Sequence, residues 1–213
     1  MVVSAGYAMS PGLTYGQINP AFLPPSPGTA SGGVAYQPLA YNIDLGEQFK
    51  ANSSFGINAL GFYDVLNADG KSLITGPEMV GIYDSSGTLL SSATIDPTTA
   101  MLFDHYYWVN VPRLQIQSGA TYMAVVWTEG QDYGATPQGD MQVASQINLV
   151  TASDAEYYNY PASGLVDPTT PETGNNITAY FGPNFSIVPD GGLTVLLLGM
   201  GLAGLGCIRR KLA

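Results

Sequence analysis

The chain has 213 residues, of which 46 % are apolar, enough to bury a core and to exclude wholesale disorder. Only 10 % are charged, while Gly (26) and Pro (15) are abundant, a profile that favours a loop-rich, exported all-β protein over a helical cytosolic enzyme. All sixteen acids but only three of the six bases lie within residues 1–190, so the body repels phosphate backbones and nucleic-acid binding is excluded; the single cysteine, Cys207, excludes an internal disulfide and a cysteine-rich zinc site.

Residues 1–34 read as an irregular lead-in, with Pro20, Pro24, Pro25 and Pro27 among many Gly and Ser. At its start, Met1-Val2-Val3-Ser4-Ala5-Gly6-Tyr7-Ala8 has no basic region and no long apolar run. Gly6 and Ala8 are nevertheless small residues at the two places a signal peptidase reads, so residues 1–8 read as the stump of a signal peptide.

From about residue 35 to 186 the chain reads as one domain of short strands between turns. The expected strands are 35–41, 43–50, 56–63, 79–84, 88–95, 106–111, 113–117, 120–128, 141–149, 155–160 and 177–181. Turn chemistry separates them at Asp69-Gly70, Asp84-Ser85-Ser86-Gly87, Ser118-Gly119 and Gly182-Pro183. Tyr122 to Trp127 is apolar on both faces, which predicts a central strand. The pattern predicts an all-β, antiparallel two-sheet sandwich of jelly-roll type.

Three kinds of chemistry are weighed on this body. The sole histidine, His105, lies between Asp104 and Tyr106 with no G-x-S-x-G or metal motif beside it, so it reads as a loop residue and the chain as a non-enzyme. Asp64, Asn67 and Asp69 offer hard oxygens around a tight turn, a weak Ca²⁺ candidate. Val65 and Gly76 occupy positions where an EF-hand needs acids, and Lys71 opposes a cation, so no cofactor is expected. Sugars stack on open aromatic faces. Tyr106 and Trp108 share one strand face beside Asn110, and Tyr157, Tyr158 and Tyr160 form a second cluster; these five are the candidate sugar-binding residues, with exopolysaccharide the ligand.

The tail, residues 187–213, carries the strongest signal. Val188-Pro189-Asp190-Gly191-Gly192 precedes an apolar run that ends at Arg209-Arg210-Lys211. Residues 191–208 are 18 without a charge. As a helix these would span about 27 Å, close to a bilayer core, which predicts a single transmembrane helix over 193–208 in contact with membrane lipid. The basic cluster predicts a membrane stop with its end in the cytoplasm and the body outside. Gly199-Met200-Gly201-Leu202-Ala203-Gly204 matches a dinucleotide-binding glycine pattern. The following helix, second strand and acid that such a site needs are missing, so the match is discarded.

This tail resembles the PEP-CTERM class of sorting signals, nearest to the variant built on Val-Pro-Asp-Ser-Gly. Val188, Pro189, Asp190 and Gly192 match, while Gly191 stands in place of the serine. The resemblance implies export in a Gram-negative-type bacterium, membrane retention, and then processing by an exosortase-type enzyme, the expected partner, with a link to extracellular polysaccharide and biofilm matrix. The body, over about 45–186, is similar to a small β-sandwich domain of such exported proteins. That likeness rests on Val80-Gly81-Ile82-Tyr83-Asp84 with Gly87, Leu89 and Leu90, and on Leu114 to Tyr122. Together these readings predict a surface-sorted, non-enzymatic envelope or matrix protein. The alternatives are a carbohydrate-binding module and, behind it, a hydrolase.

Overall fold

The computed structural model describes residues 18–23, 35–37, 42–64, 72, 74–130, 133–137, 142–150, 156–171, 178–180 and 182–190. Its strands are β1 (Phe22–Leu23), β2 (Ala35–Gln37), β3 (Asn42–Ala51), β4 (Phe55–Tyr63), β5 (Glu78–Asp84), β6 (Leu89–Ile95), β7 (Met101–Phe103), β8 (Tyr106–Ile116), β9 (Thr121–Glu129), β10 (Tyr133–Pro137), β11 (Gln142–Val143), β12 (Ile147–Leu149), β13 (Glu156–Asn159), β14 (Thr170–Pro171), β15 (Thr178–Tyr180) and β16 (Pro183–Pro189). The described chain is all-β, as the alternating patterns and turn residues predict.

Two sheets carry the core. The larger runs β14-β13-β3-β9-β5-β6, with β12 also on β3; the smaller runs β16-β4-β8-β7. β9 lies between β3 and β5, the central place its two apolar faces require. Two small sheets, β15-β10-β2 and β1-β11, complete the set, and every described pairing is antiparallel. The chain passes back and forth between the two main layers: β3 to β4, then β5–β6, β7–β8, β9 and finally β16.

Strand alternation sends one face of each layer to the shared interior. Leu45, Phe49, Val80, Ile82, Ala124 and Val126 come from the larger sheet and pack with Phe55, Ile57, Leu60, Phe62, Phe185 and Ile187 of the smaller. Aromatic rings join the layers: Phe49, stacked 5.7 Å from Tyr122 within its own sheet, stands 4.8 Å from Phe185, and Phe22 of β1 stands 5.5 Å from Phe185.

Several sequence expectations change here. The lead-in is not irregular throughout, because Ile18 and Ala21–Phe22 are buried and β1 pairs with β11. Strands 106–111 and 113–117 are one strand, β8. Ile57 pairs with Leu114 and Ala59 with Asn110, so Val111, Pro112 and Arg113 bulge out opposite Asn58, where Pro112 needs no ladder N–H. Strand 141–149 splits into β11 and β12 around a turn at Ser145-Gln146. Pro183 starts β16 rather than a turn, and β16 runs past residue 186 to Pro189. The expected helix over 193–208, with Gly191, Gly192, Arg209, Arg210 and Lys211, lies outside the described residues. Among the described residues no helix is long and apolar enough to cross a membrane.

Candidate functional site

The sorting-like motif begins inside the smaller sheet. Along β16, Ile187 pairs with Ile57, Val188 with Gly56 and Pro189 with Phe55. Ile187 is buried, Val188 half-buried, and Pro189 and Asp190 exposed. The motif's first two residues are thus the last two of a strand. Pro189 fits this place because an edge strand tolerates a missing N–H.

The outer edge of β16 is held by the lead-in. Ala21 N–H donates to Phe185 O at 2.9 Å and Ile187 N–H to Asn19 O at 2.8 Å, while Asn19 N–H reaches Ser186 Oγ at 3.1 Å. Asn184, fully buried, clamps the turn of chain above: its Oδ1 accepts from the N–H groups of Ala21, Phe22 and Phe185, and its Nδ2 donates to Phe22 O. Asn184→Ala strips an acceptor from three buried donors. Ala21 N–H keeps its bond to Phe185 O, so the expected loss is about 2 kcal/mol, read by urea unfolding, together with faster proteolysis at residues 18–23.

Around the exit of β16 the chain forms a cleft of about 520 Å³ lined by Asn52, Ser54, Ser118, Gln146, Pro189 and Asp190. Its walls are turns tied to one another. Asn52 and Asn148 exchange amide hydrogen bonds, Ser118 Oγ donates to Asn52 O, and Asn52 N–H donates to Gln146 O. Arg113, one of the three bases of the body, leaves the β8 bulge and lies across Gly56, where a Cβ would stand 2.5 Å from its Nε. That glycine lets the guanidinium reach within 3.5 Å of Pro189 O.

The other candidate residues fare differently. Tyr106 and Trp108 do share a face, but it is covered there: they are 0 % and 1 % exposed. Trp108 lies on Gly61, its cross-strand partner, and donates from Nε1 to Phe103 O at 3.0 Å. They are core residues, not a sugar platform. Tyr157, Tyr158 and Tyr160 do not form one surface. Tyr157 pairs with Gly46 and packs with Tyr83 and Met123 on the outer face of the larger sheet, whereas Tyr158 packs against the interior core. Tyr160, beyond the strand, is 53 % exposed.

Asp64 is buried at the end of β4, with Ser72 hydrogen-bonded to its carboxylate; Asn67 and Asp69 lie outside the described residues. Burial raises the Asp64 pKa against the lowering by Ser72 and His105. No group of three metal-ligating side chains occurs among the described residues. His105 is exposed and, with Asp104, forms the two-residue turn of the β7–β8 hairpin, both at positive φ (64° and 50°) as a tight hairpin requires. Its carbonyl accepts Asp64 N–H at 2.6 Å.

Sequence reasoning missed a set of buried acids. Glu78 sits at the start of β5 facing the interior, its Oε1 3.4 Å from Thr128 Oγ1, and desolvation pushes its pKa up to about 9. Asp44 faces outward on β3 but is covered: its Oδ1 accepts from Val166 N–H at 3.3 Å, and desolvation pushes its pKa up to about 7. Glu47 is fully buried as well. Nothing local distinguishes these acids from solvated ones; Asp44 is met by Asn159 of β13 and by Val166, both more than a hundred positions away.

An all-β body whose final strand runs directly into a C-terminal motif defines a domain joined to a signal, and the comparisons name both parts. A VPDSG-CTERM motif matches residues 188–212, despite Gly191 at the serine position; this is an exosortase-type sorting signal, which implies export to the cell envelope or surface and processing by an exosortase-type enzyme. The family described as a domain of unknown function, DUF4082, matches residues 30–181, and the chain belongs to it. No curated protein matches the chain.

Proposed function

We propose that the chain is a surface-sorted, non-enzymatic envelope or matrix protein, a jelly-roll-like β-sandwich delivered by its own C-terminal signal. The observation that carries this reading is the sorting-motif match at 188–212, seven residues beyond the end of the domain match at 181. In the proposed mechanism a helix over 193–208 lodges in the bilayer, and Arg209-Arg210-Lys211 keeps the end in the cytoplasm. Val188 to Gly192 is then offered to the processing enzyme on the outer side. The non-enzymatic reading is supported by the structural employment of the groups that chemistry would need. His105 sits in a hairpin turn, while Glu78 and Asp44 are buried.

The test is partition of the full chain in a host without the processing enzyme. Full-length protein is expected in the membrane fraction, released by detergent and not by salt. A chain ending at Ile187 is expected in the aqueous fraction. Full-length protein that stays aqueous and monomeric without detergent overturns the reading.

A further inference from the structure

The sorting motif has no spacer from the domain. Its first two residues are paired to β4, its third follows at once, and the strand that holds it is anchored by buried Ile187 and clamped by Asn184. A processing enzyme must take a peptide into its own active site, which needs the backbone clear of the sheet. Here the backbone of Val188 and Pro189 lies against Gly56 and Phe55, and the Pro189 carbonyl lies under the Arg113 guanidinium.

We propose that the end of β16 is a latch, which withholds the motif from the processing enzyme until Val188 and Pro189 peel away from β4; the proposal rests on the sorting reading above. Peeling these residues breaks only the strand end. The interior anchor at Ile187 and the clamp at Asn184 keep the rest of β16 in place, so the domain stays folded while the motif opens. Local opening of this kind at a strand terminus costs far less than global unfolding. The latch also couples sorting to folding, because β16 has its closed register only after β4, β8 and the lead-in segment 18–22 have assembled. Arg113 and Gly56 are positioning residues for the latch: one lies on the motif's carbonyl, and the other makes room for it.

The experiment follows the rate at which the full chain loses its tail in membranes that contain an exosortase-type enzyme, by mass spectrometry of the C-terminus. Three variants are compared with the wild type. Arg113→Ala removes the guanidinium. A six-residue Gly-Ser insertion between Ile187 and Val188 carries the intact motif clear of the sheet. Ile57→Cys with Ile187→Cys, in a Cys207→Ser background, cross-links the paired strands when oxidised. The first two are expected to be processed about threefold faster or more, the opening expected when a few strand-end contacts are lost. The cross-linked chain keeps Ile187 on Ile57, a contact that stays closed while the motif peels, and is expected to be processed at the wild-type rate, oxidised or reduced. Hydrogen exchange on the wild type reads the latch directly, with the Val188 amide expected to exchange more slowly than that of Asp190. If the wild type is processed but Arg113→Ala and the insertion share its rate, if the Ile57–Ile187 cross-link stops processing, or if Val188 exchanges as fast as Asp190, the latch is overturned and the sorting reading stands. If no chain, wild type included, is processed, the sorting reading falls and the latch with it.

Discussion

Trp108→Ala is expected to lower the unfolding free energy by about 4 kcal/mol, the cost of removing a large, fully enclosed aromatic side chain and leaving a cavity. The indole is 1 % exposed and fills the space above Gly61, where a Cβ would stand 2.8 Å from its ring. It packs 5.6 Å from the Tyr106 ring and satisfies the Phe103 carbonyl. Its loss therefore removes apolar burial, an aromatic contact and a hydrogen bond together. Gly61→Ala approaches the same contact from the other strand and is expected to destabilise in the same sense, by about 1–3 kcal/mol, as overpacking does. Urea unfolding of both variants provides the check. A Trp108→Ala protein as stable as the wild type, but deficient in retention on a polysaccharide matrix, would return Trp108 to the surface role that its strand neighbours suggested.

The second large effect is a fall in stability as pH rises. Glu78 is buried, and desolvation, helped by the like charge of Glu129, lifts its pKa from 4.5 to about 9. Desolvation likewise lifts Asp44 from 3.8 to about 7. A raised carboxyl pKa in the folded state means that the unfolded chain ionises first. The contribution is whole below pH 4 and is lost as pH climbs, for Asp44 by about pH 7 and for Glu78 by about pH 9. Asp84 and Asp96, exposed, are shifted down by hydrogen bonds, first from Ser86 and Thr98 respectively, so their contributions fade at the acid end. Stability is therefore expected to peak near pH 4–5 and to fall toward pH 9, with the loss above pH 7 belonging to Glu78. One pKa unit carries about 1.4 kcal/mol, and relaxation around a buried carboxyl discounts the full shift, leaving about 3 kcal/mol for Glu78 between pH 5 and pH 9. Glu78→Gln keeps an acceptor for Thr128 and cannot ionise. It is expected to match the wild type at pH 4 and to exceed it at pH 9. Thermal midpoints across that range check the sign, and a wild-type midpoint that rises from pH 5 to pH 9 would contradict it.

Much of the architecture is written locally. The β5–β6 turn is an example: Asp84 Oδ1 accepts from Ser86 N–H and Thr88 N–H, and Gly87 supplies a φ of 80°, as the Asp-Ser-Ser-Gly run suggests. The two apolar faces of Tyr122 to Trp127 likewise put β9 in the middle of its sheet. What is not local is not legible. Pro112 reads as a break until its place in a bulge opposite Asn58 is known. Gly182-Pro183 reads as a turn because the burial of β16 depends on β4, on Asn19 to Phe22, and on a ring contact between Phe185 and Phe49, 136 positions away in the chain. Alternation puts Tyr106 and Trp108 on one face, but only packing distant in sequence decides that this face is covered. For Tyr157 and Tyr158 alternation alone would have separated them, since adjacent strand residues point to opposite faces. The motif at 188–192 was legible as a signal, whereas its register against Phe55 and Gly56 was not.

The most direct test of the account is the C-terminus of the protein recovered from the cell surface, measured by intact mass in a host with and without an exosortase-type enzyme. The account predicts a chain that ends within the 188–192 motif only where the enzyme is present, and the full tail through Arg209-Arg210-Lys211 where it is absent. The same intact basic end in both hosts would contradict it.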